Sequence, residues 1–199
     1  MKTANFNSGP DIVLFYPNFL TSPNSKYFFF HLSKEIFWRK EKVRLFGKTT
    51  PVPRLSAWHG DVPYTFSGLK MTPNPLTPKL IYLKELAQKK TGAKFNSVLL
   101  NLYRDGNDSI SWHSDNEAEL GEKPVIASLS LGFERIFRFR HKTDKTKKIS
   151  FKLASGSLLY MAGDTQKNWE HSVPKTSKKI GARINLTFRK VFAQKISKG

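Results

Sequence analysis

Arg183-Ile184-Asn185-Leu186-Thr187-Phe188-Arg189 alternates polar and apolar side chains without a break. In an extended chain successive side chains point to opposite faces, so Arg183, Asn185, Thr187 and Arg189 share one face and Ile184, Leu186 and Phe188 the other. Such a strand belongs to a sheet with one apolar, covered side. Its polar side looks at something anionic, and two guanidiniums with an amide suit a dicarboxylate, because the arginine fork matches a carboxylate in bidentate fashion. The competing reading is a barrel strand whose polar face meets solvent.

Outward from this run, the same period of two marks Ser97 to Tyr103, Val125 to Leu131, Arg135 to His141, Ile149 to Leu153 and Ser157 to Met161, with turn residues between them. Earlier in the chain the period is helical. After an irregular start, Ser22-Pro23 reads as a cap and first-turn proline, with Phe28, Leu32 and Ile36 four apart on one face. Thr77-Pro78 opens a second helix through Leu80, Leu83 and Leu86 to a stop at Gly92. Between the helices, Val43 to Pro75 is rich in Pro, Gly, Trp and Tyr, which predicts structured loops and short strands of the kind that carry binding residues. Helices followed by short strands predict an α+β fold, a double-stranded β-helix (jelly-roll) core flanked by N-terminal helices. A single domain is expected over residues 1–199, with 1–42 an N-terminal extension and helix.

Composition narrows the partner. The 199 residues are 39% hydrophobic and 13% aromatic, enough for one well-buried core. Thirty-four Lys and Arg against fifteen Asp and Glu give a net charge of +19, which points to a polyanion, with a generally solvated basic surface as the competing reading. Without cysteine, no disulfide or thiolate site exists and any metal must sit on His, Asp or Glu. No membrane span or signal peptide is evident. A soluble intracellular protein is expected, cytoplasmic in a bacterium or nuclear in a eukaryote.

In Trp112-His113-Ser114-Asp115 the His and Asp are two apart, so an extended segment aims both at one cation. His171, shortly before a strand, is expected to supply a third ligand from the other sheet. Two imidazoles and a carboxylate on one face of a metal leave three positions open, as non-haem iron(II) oxygenases need for oxygen and a chelating cosubstrate.

These residues resemble the AlkB-type alkylated-base dioxygenases from about Phe46 to Val191, through Asn101-Leu102-Tyr103, His113-Ser114-Asp115, His171 and the RxNxTFR run ending at Arg189. The resemblance implies Fe(II) held by His113, Asp115 and His171, with 2-oxoglutarate and O2 as cosubstrates. It assigns Arg183 to the distal carboxylate, supported by Asn101 and Tyr103, with Asn185 and Arg189 completing the pocket. Residues 43–96 become the nucleotide-recognition lid region. There Tyr64-Thr65-Phe66-Ser67-Gly68 resembles the family's lid, Phe66 stacking on a flipped base opposite His113 and Tyr64 adding a hydrogen bond. Glu117 matches the position facing the exocyclic edge of the base, and Asn116 departs from an acid more usual in members acting on duplexes. Arg44-Leu45-Phe46-Gly47-Lys48 resembles a hairpin with an intercalating aromatic, which makes alkylated duplex DNA the expected partner and Phe46 the wedge; a buried Phe46 is the alternative. Arg54, Arg140, Lys142, Lys175, Lys178 and Lys179 are expected at DNA. Arg138, Lys145, Lys147 and Lys148 share the basic hairpin with Arg140 and Lys142.

The implied reaction is oxidative dealkylation of bases such as 1-methyladenine and 3-methylcytosine, with release of an aldehyde. Single-stranded DNA or RNA are the alternative substrates. A zinc hydrolase with the same triad would leave Arg183 and Arg189 without a partner, and a non-catalytic nucleic-acid-binding module would need no metal. A monomer is expected.

Overall fold

A computed structural model describes residues 6–45, 48–66 and 69–193. Strands β1 (Phe6–Ser8) and β2 (Asp11–Tyr16) precede helix α1 (Ser22–Glu35). Then come β3 (Lys42–Leu45), β4 (Lys48–Pro51), β5 (Leu55–Gly60), β6 (Tyr64–Phe66) and β7 (Leu69–Met71), before α2 (Pro78–Thr91). The strands β8 (Ser97–Tyr103), β9 (Ile110–His113), β10 (Ile126–Gly132), β11 (Arg135–His141), β12 (Lys148–Leu153) and β13 (Leu158–Gly163) follow. A single turn, α3 (Thr165–Asn168), leads to β14 (Trp169–Val173) and β15 (Arg183–Arg189).

α2 starts at the cap expected for it, whereas α1 is capped by Thr21 and not by Ser22, which becomes its first helical residue. The Thr21 hydroxyl accepts from the Asn24 amide and the Thr77 hydroxyl from the Leu80 amide, each at 3.4 Å and each followed by a proline in the first turn. α2 stops at Gly92, whose φ of 72° is left-handed and suits a residue without Cβ. Phe28, Leu32 and Ile36 of the first helical stretch and Leu80, Leu83 and Ala87 of α2 are buried against Leu129, Leu131, Ile184, Leu186 and Phe188. The apolar back of β15 is therefore the floor on which the helices sit.

The sheets are antiparallel. One has the order β1-β2-β13-β10-β15-β8-β5 and the other β12-β11-β14-β9, while β3-β4 and β6-β7 form separate two-stranded hairpins. From β8 to β15 the chain passes back and forth between the two larger sheets, which is the jelly-roll connectivity expected from the strand pattern. A second apolar cluster, with Ile126, Phe137, Phe139, Phe151, Met161 and Trp169, fills the space between these sheets. β15 lies in the middle of the larger sheet, paired from Arg183↔Gly132 to Arg189↔Ile126 on one side and from Arg183↔Tyr103 to Arg189↔Ser97 on the other. All seven of its residues are buried, polar face included.

The fold departs from the sequence expectation in three places. The irregular start contains β2, a full member of the large sheet, locked to β13 from Asp11↔Gly163 to Tyr16↔Leu158. Asp11 holds it there by accepting from Asn168 Nδ2 at 2.8 Å and Trp169 Nε1 at 3.0 Å. Within residues 43–96, β5 and α2 belong to the main body, and the two hairpins form sheets of their own, with Tyr64 and Met71 packed against the body. Third, His171 lies within β14 and pairs directly with His113 of β9, so the two imidazoles come from the same sheet.

Leu83 is fully buried beneath α2, away from the polar face of β15. Leu83→Ala is expected to cost about 2–4 kcal/mol and to lower the melting midpoint by roughly 5–12 °C in a thermal scan, with metal affinity unchanged.

Candidate metal and dicarboxylate site

The inner, polar face of β15 looks across the sandwich at the ends of β9 and β14. His113, Asp115 and His171 meet there, with one ligand atom from each lying within 4.8 Å of the others. Each is aimed by its neighbours. His113 Nδ1 donates to the Ser111 carbonyl at 2.8 Å, which leaves the lone pair on Nε2. The Asp115 backbone amide donates to Gln166 Oε1 at 2.9 Å. His171 stacks on Phe137 at 5.1 Å between centroids, its Nε2 stands 3.9 Å from Asp115 Oδ2, and its buried Nδ1 has no partner.

Burial pushes the His171 imidazole down to about 3, assisted by neighbouring His113, and it lowers His113 as well. Both rings are therefore neutral and able to donate lone pairs. Burial would raise Asp115, but the Arg189 guanidinium outweighs it and holds the carboxylate below its usual range. Arg189 Nη2 donates to Asp115 Oδ1 at 2.6 Å, which orients the other oxygen, Oδ2, toward the imidazoles. Two neutral imidazoles and one ionised carboxylate fit a divalent cation of the first transition row.

Beyond the triad lies Arg183, 1% exposed. Its Nη2 donates to Ser130 Oγ at 2.8 Å, while Nε and Nη1 are buried with no partner. Burial pushes this guanidinium down to about 10. A buried cation with two idle donors is costly unless an anion completes it. The Tyr103 ring lies 5.2 Å from its Cζ. Asn101 Oδ1 accepts from Arg54 Nε at 2.7 Å, which turns the Asn101 amide nitrogen toward the cavity. Asn185 Nδ2 donates to Ser128 Oγ at 2.8 Å. Asn101, Tyr103, His113, Asp115, His171, Asn185 and Arg189 line one narrow cavity of about 30 Å³.

At the triad's other end, Tyr64 is fully buried, its ring stacked on Trp58 at 4.7 Å and its hydroxyl accepting from Arg189 Nη1 at 2.7 Å. Glu117 is half-buried beside it, and burial raises its carboxyl despite Arg189. Phe46 and the Phe66 side chain lie outside the described residues.

The residues expected at DNA divide. Lys175, Lys178 and Lys179 are exposed and, with Arg138 and Lys152, line one groove. Arg140 is held against Glu170 at 2.8 Å and lies 4.3 Å over the Trp112 ring, and Lys142 Nζ donates to the Gln166 carbonyl at 2.8 Å. Arg54 requires correction: it is 5% exposed and engaged with Asn101 and, at 3.4 Å, the Ser109 carbonyl, so it supports the cavity wall and does not face solvent. Ser128, Ser130, Gln166, Phe137 and Trp58 were not singled out from sequence. The alternation of Ser128 and Ser130 with Ala127, Leu129 and Leu131 carries the signal for the first two.

Comparison with known proteins agrees with this geometry. The profile of the 2OG-Fe(II) oxygenase superfamily matches residues 12–189. The chain is 41% identical over 194 residues to the alpha-ketoglutarate-dependent dioxygenase alkB homolog 3 of Mus musculus, covering 93% of this chain and 68% of that protein. It is 44% identical over 163 residues to the DNA oxidative demethylase ALKBH2 of Mus musculus, covering 77% and 68%. The chain thus spans about two thirds of these relatives' length. The solved structure of OsALKBH1 superposes with a TM-score of 0.58 at 17% identity, over 94% of this chain and 99% of that one, a likeness of fold.

His171→Ala removes one of the three candidate ligands without touching Arg183. Titration with Co(II) is expected to show an affinity loss on the order of 100-fold or more.

Proposed function

The chain belongs to the 2OG-Fe(II) oxygenase superfamily, as one of its AlkB-type members, and on that footing we propose that it repairs DNA by oxidatively removing alkyl groups from N-alkylated bases. It is an Fe(II)- and 2-oxoglutarate-dependent dioxygenase. The observation that carries the reading is a buried two-histidine, one-carboxylate cluster facing the same cavity as the cation-bearing face of β15, with two idle donors on Arg183 beyond it.

When bound, iron and 2-oxoglutarate supply, with O2, the oxidising power to hydroxylate an alkyl carbon. The chain's own groups do the placing. His113, Asp115 and His171 would hold the metal, as a set that suits an iron(II) able to take cosubstrates. Arg183 takes the far carboxylate of 2-oxoglutarate, with Tyr103 and the Asn101 amide beside it, and Asn185 and the remaining donor of Arg189 close the pocket. Phe66 and His113 clasp the extruded base by stacking, and Glu117 meets its exocyclic edge. The alkyl carbon hydroxylated on a ring nitrogen is a hemiaminal, which loses an aldehyde and leaves the restored base. Apolar walls from Leu99, Ile110, Phe137, Met161 and Val173 keep water from the reacting carbon.

Alkylated duplex DNA is the substrate form proposed first, on the Phe46 hairpin, and the protein is proposed to act as a monomer. Lys175, Lys178 and Lys179 would neutralise phosphates, each adding roughly one unit to the log–log salt dependence. No helix among the described residues is long and apolar enough to cross a membrane.

Incubation with 1-methyladenine oligonucleotides is expected to release formaldehyde only when Fe(II) and 2-oxoglutarate are both present. Turnover that survives omission of 2-oxoglutarate would sink the reading. Faster repair of duplex than of single strands supports Phe46 as the wedge, and the reverse order transfers the same chemistry to single strands. Arg183→Ala removes a buried charged partner worth about 2–4 kcal/mol, so the apparent KM for 2-oxoglutarate should rise roughly 30- to 1000-fold.

A further inference from the structure

The geometry points to a second nucleic-acid track on the outer face of the small sheet, which takes an unpaired strand leading away from the damaged base and stacks one of its bases on Phe133. The inference deepens the base-dealkylation reading and rests on it for the class of partner.

Along β11 the side chains alternate. Phe137 and Phe139 enter the apolar filling between the sheets, while Ile136 and Arg138 lie outside. Lys152 of β12, paired across from Ile136, joins them there. With Phe133 in the turn before β11 and the segment from Pro174 to Ile180, these side chains enclose a groove of about 460 Å³. One wall carries the lysines already set against phosphates, whereas Phe133, Ile136, Arg138 and Lys152 take no part in the chemistry at the metal. Farther along the same face, Arg140 and Lys145 are neutralised by Glu170 at 2.8 and 2.7 Å. Among the described residues no carboxylate pairs with Arg138, Lys152, Lys175, Lys178 or Lys179, and Glu134 is the one acid lining the groove. Uncompensated cations around an apolar floor suit a polyanion that also carries flat apolar faces, which is the chemistry of a nucleic acid.

The groove is built before any partner arrives. Arg135, buried beneath it, donates from Nη2 to the Pro174 carbonyl at 2.7 Å and the Asp108 carbonyl at 2.9 Å, and from Nη1 to the Asp105 carbonyl at 3.1 Å. The Thr176 amide donates to the Gly106 carbonyl at 2.9 Å, and a side chain at 106 would collide with the Thr176 carbonyl oxygen. A lysine-bearing wall fixed in this way loses little freedom on binding. Phe133 is 46% exposed although its amide is tied to the Ala182 carbonyl at 2.8 Å. A ring held open to water beside unpaired cations makes a stacking platform, since every base offers a π face.

Phe133 adjoins the Arg183 end of β15, whereas Tyr64 touches Arg189 at the other end. Six residue steps of a strand are about 20 Å, so the groove receives nucleotides flanking the damaged one. In a duplex the faces of those bases are covered by their neighbours, so the occupant is an unpaired strand.

Phe133→Ala is expected to weaken binding of an unmethylated oligothymidylate of about 16 nucleotides to metal-free protein about fivefold or more, read by fluorescence anisotropy, and to leave a blunt duplex of the same length bound as before. Lys152→Glu should lower the log–log salt slope by roughly one unit or more. Both side chains are exposed, so the melting midpoint should not move. With Fe(II) and 2-oxoglutarate, both variants should raise KM for a single-stranded 1-methyladenine substrate of that length and leave KM and kcat unchanged for one of about 4 nucleotides. Wild-type affinity of both variants for the oligothymidylate, or an equal loss by Phe133→Ala on single strand and duplex, overturns the track. The binding measurements need no turnover, so a wild type that binds as expected but releases no formaldehyde would overturn the dealkylation reading and leave the track standing.

Discussion

The ion pair between Asp115 and Arg189 is the contact on which the site depends. Both groups are buried, and removing such charges from water is worth several kcal/mol each against the fold unless their partners are close and their remaining atoms are occupied. The 2.6 Å contact and the Tyr64 hydroxyl meet most of that requirement, and only Nε of Arg189 is left buried without a partner in the pair. The pair also spans the sandwich, because Arg189 ends β15 in the large sheet and Asp115 follows β9 in the small one. Spacing between the sheets at that end is thus set by chemistry as well as by packing, and the candidate metal ligands inherit their geometry from it.

The same strand explains why fold and site are inseparable here. The apolar back of β15 receives the helices while its polar front faces the cavity, so one alternating run of seven residues serves two compartments. Serine rather than a larger residue at 128 and 130 lets Asn185 and Arg183 lie flat across β10, held by hydroxyls too short to fill the cavity themselves.

Much of this was legible in the sequence, for physical reasons. Strict alternation in residues 183–189, a proline just inside each helix start and Gly92 at a helix end are local signals, and local structure obeyed them, with the first cap one residue earlier than expected. The His113, Asp115 and His171 set was legible because its members are chemically unusual and closely patterned. What escaped depends on partners distant in the chain. His171 was expected on the opposite sheet, since its pairing with His113 includes a register shift that no local pattern announces. Arg54 was read as a surface cation because arginine is rarely buried; only the fold brings Asn101 and the Ser109 carbonyl to it. The strand at Asp11 to Tyr16 begins with an acid, and its place is secured by Asn168 and Trp169, far along the chain.

The idle donors of Arg183 carry a consequence for the life of the protein in the cell. A cosubstrate that completes a buried cation binds the folded state and not the unfolded chain, so it adds to folding stability by mass action, about 2.7 kcal/mol at a concentration 100 times its Kd. With 2-oxoglutarate held at Arg183 as proposed, the abundance of the folded enzyme, and not only its rate, would be tied to the supply of a small dicarboxylate from metabolism. A cell short of that acid would hold a repair enzyme that is idle and also easier to unfold and degrade.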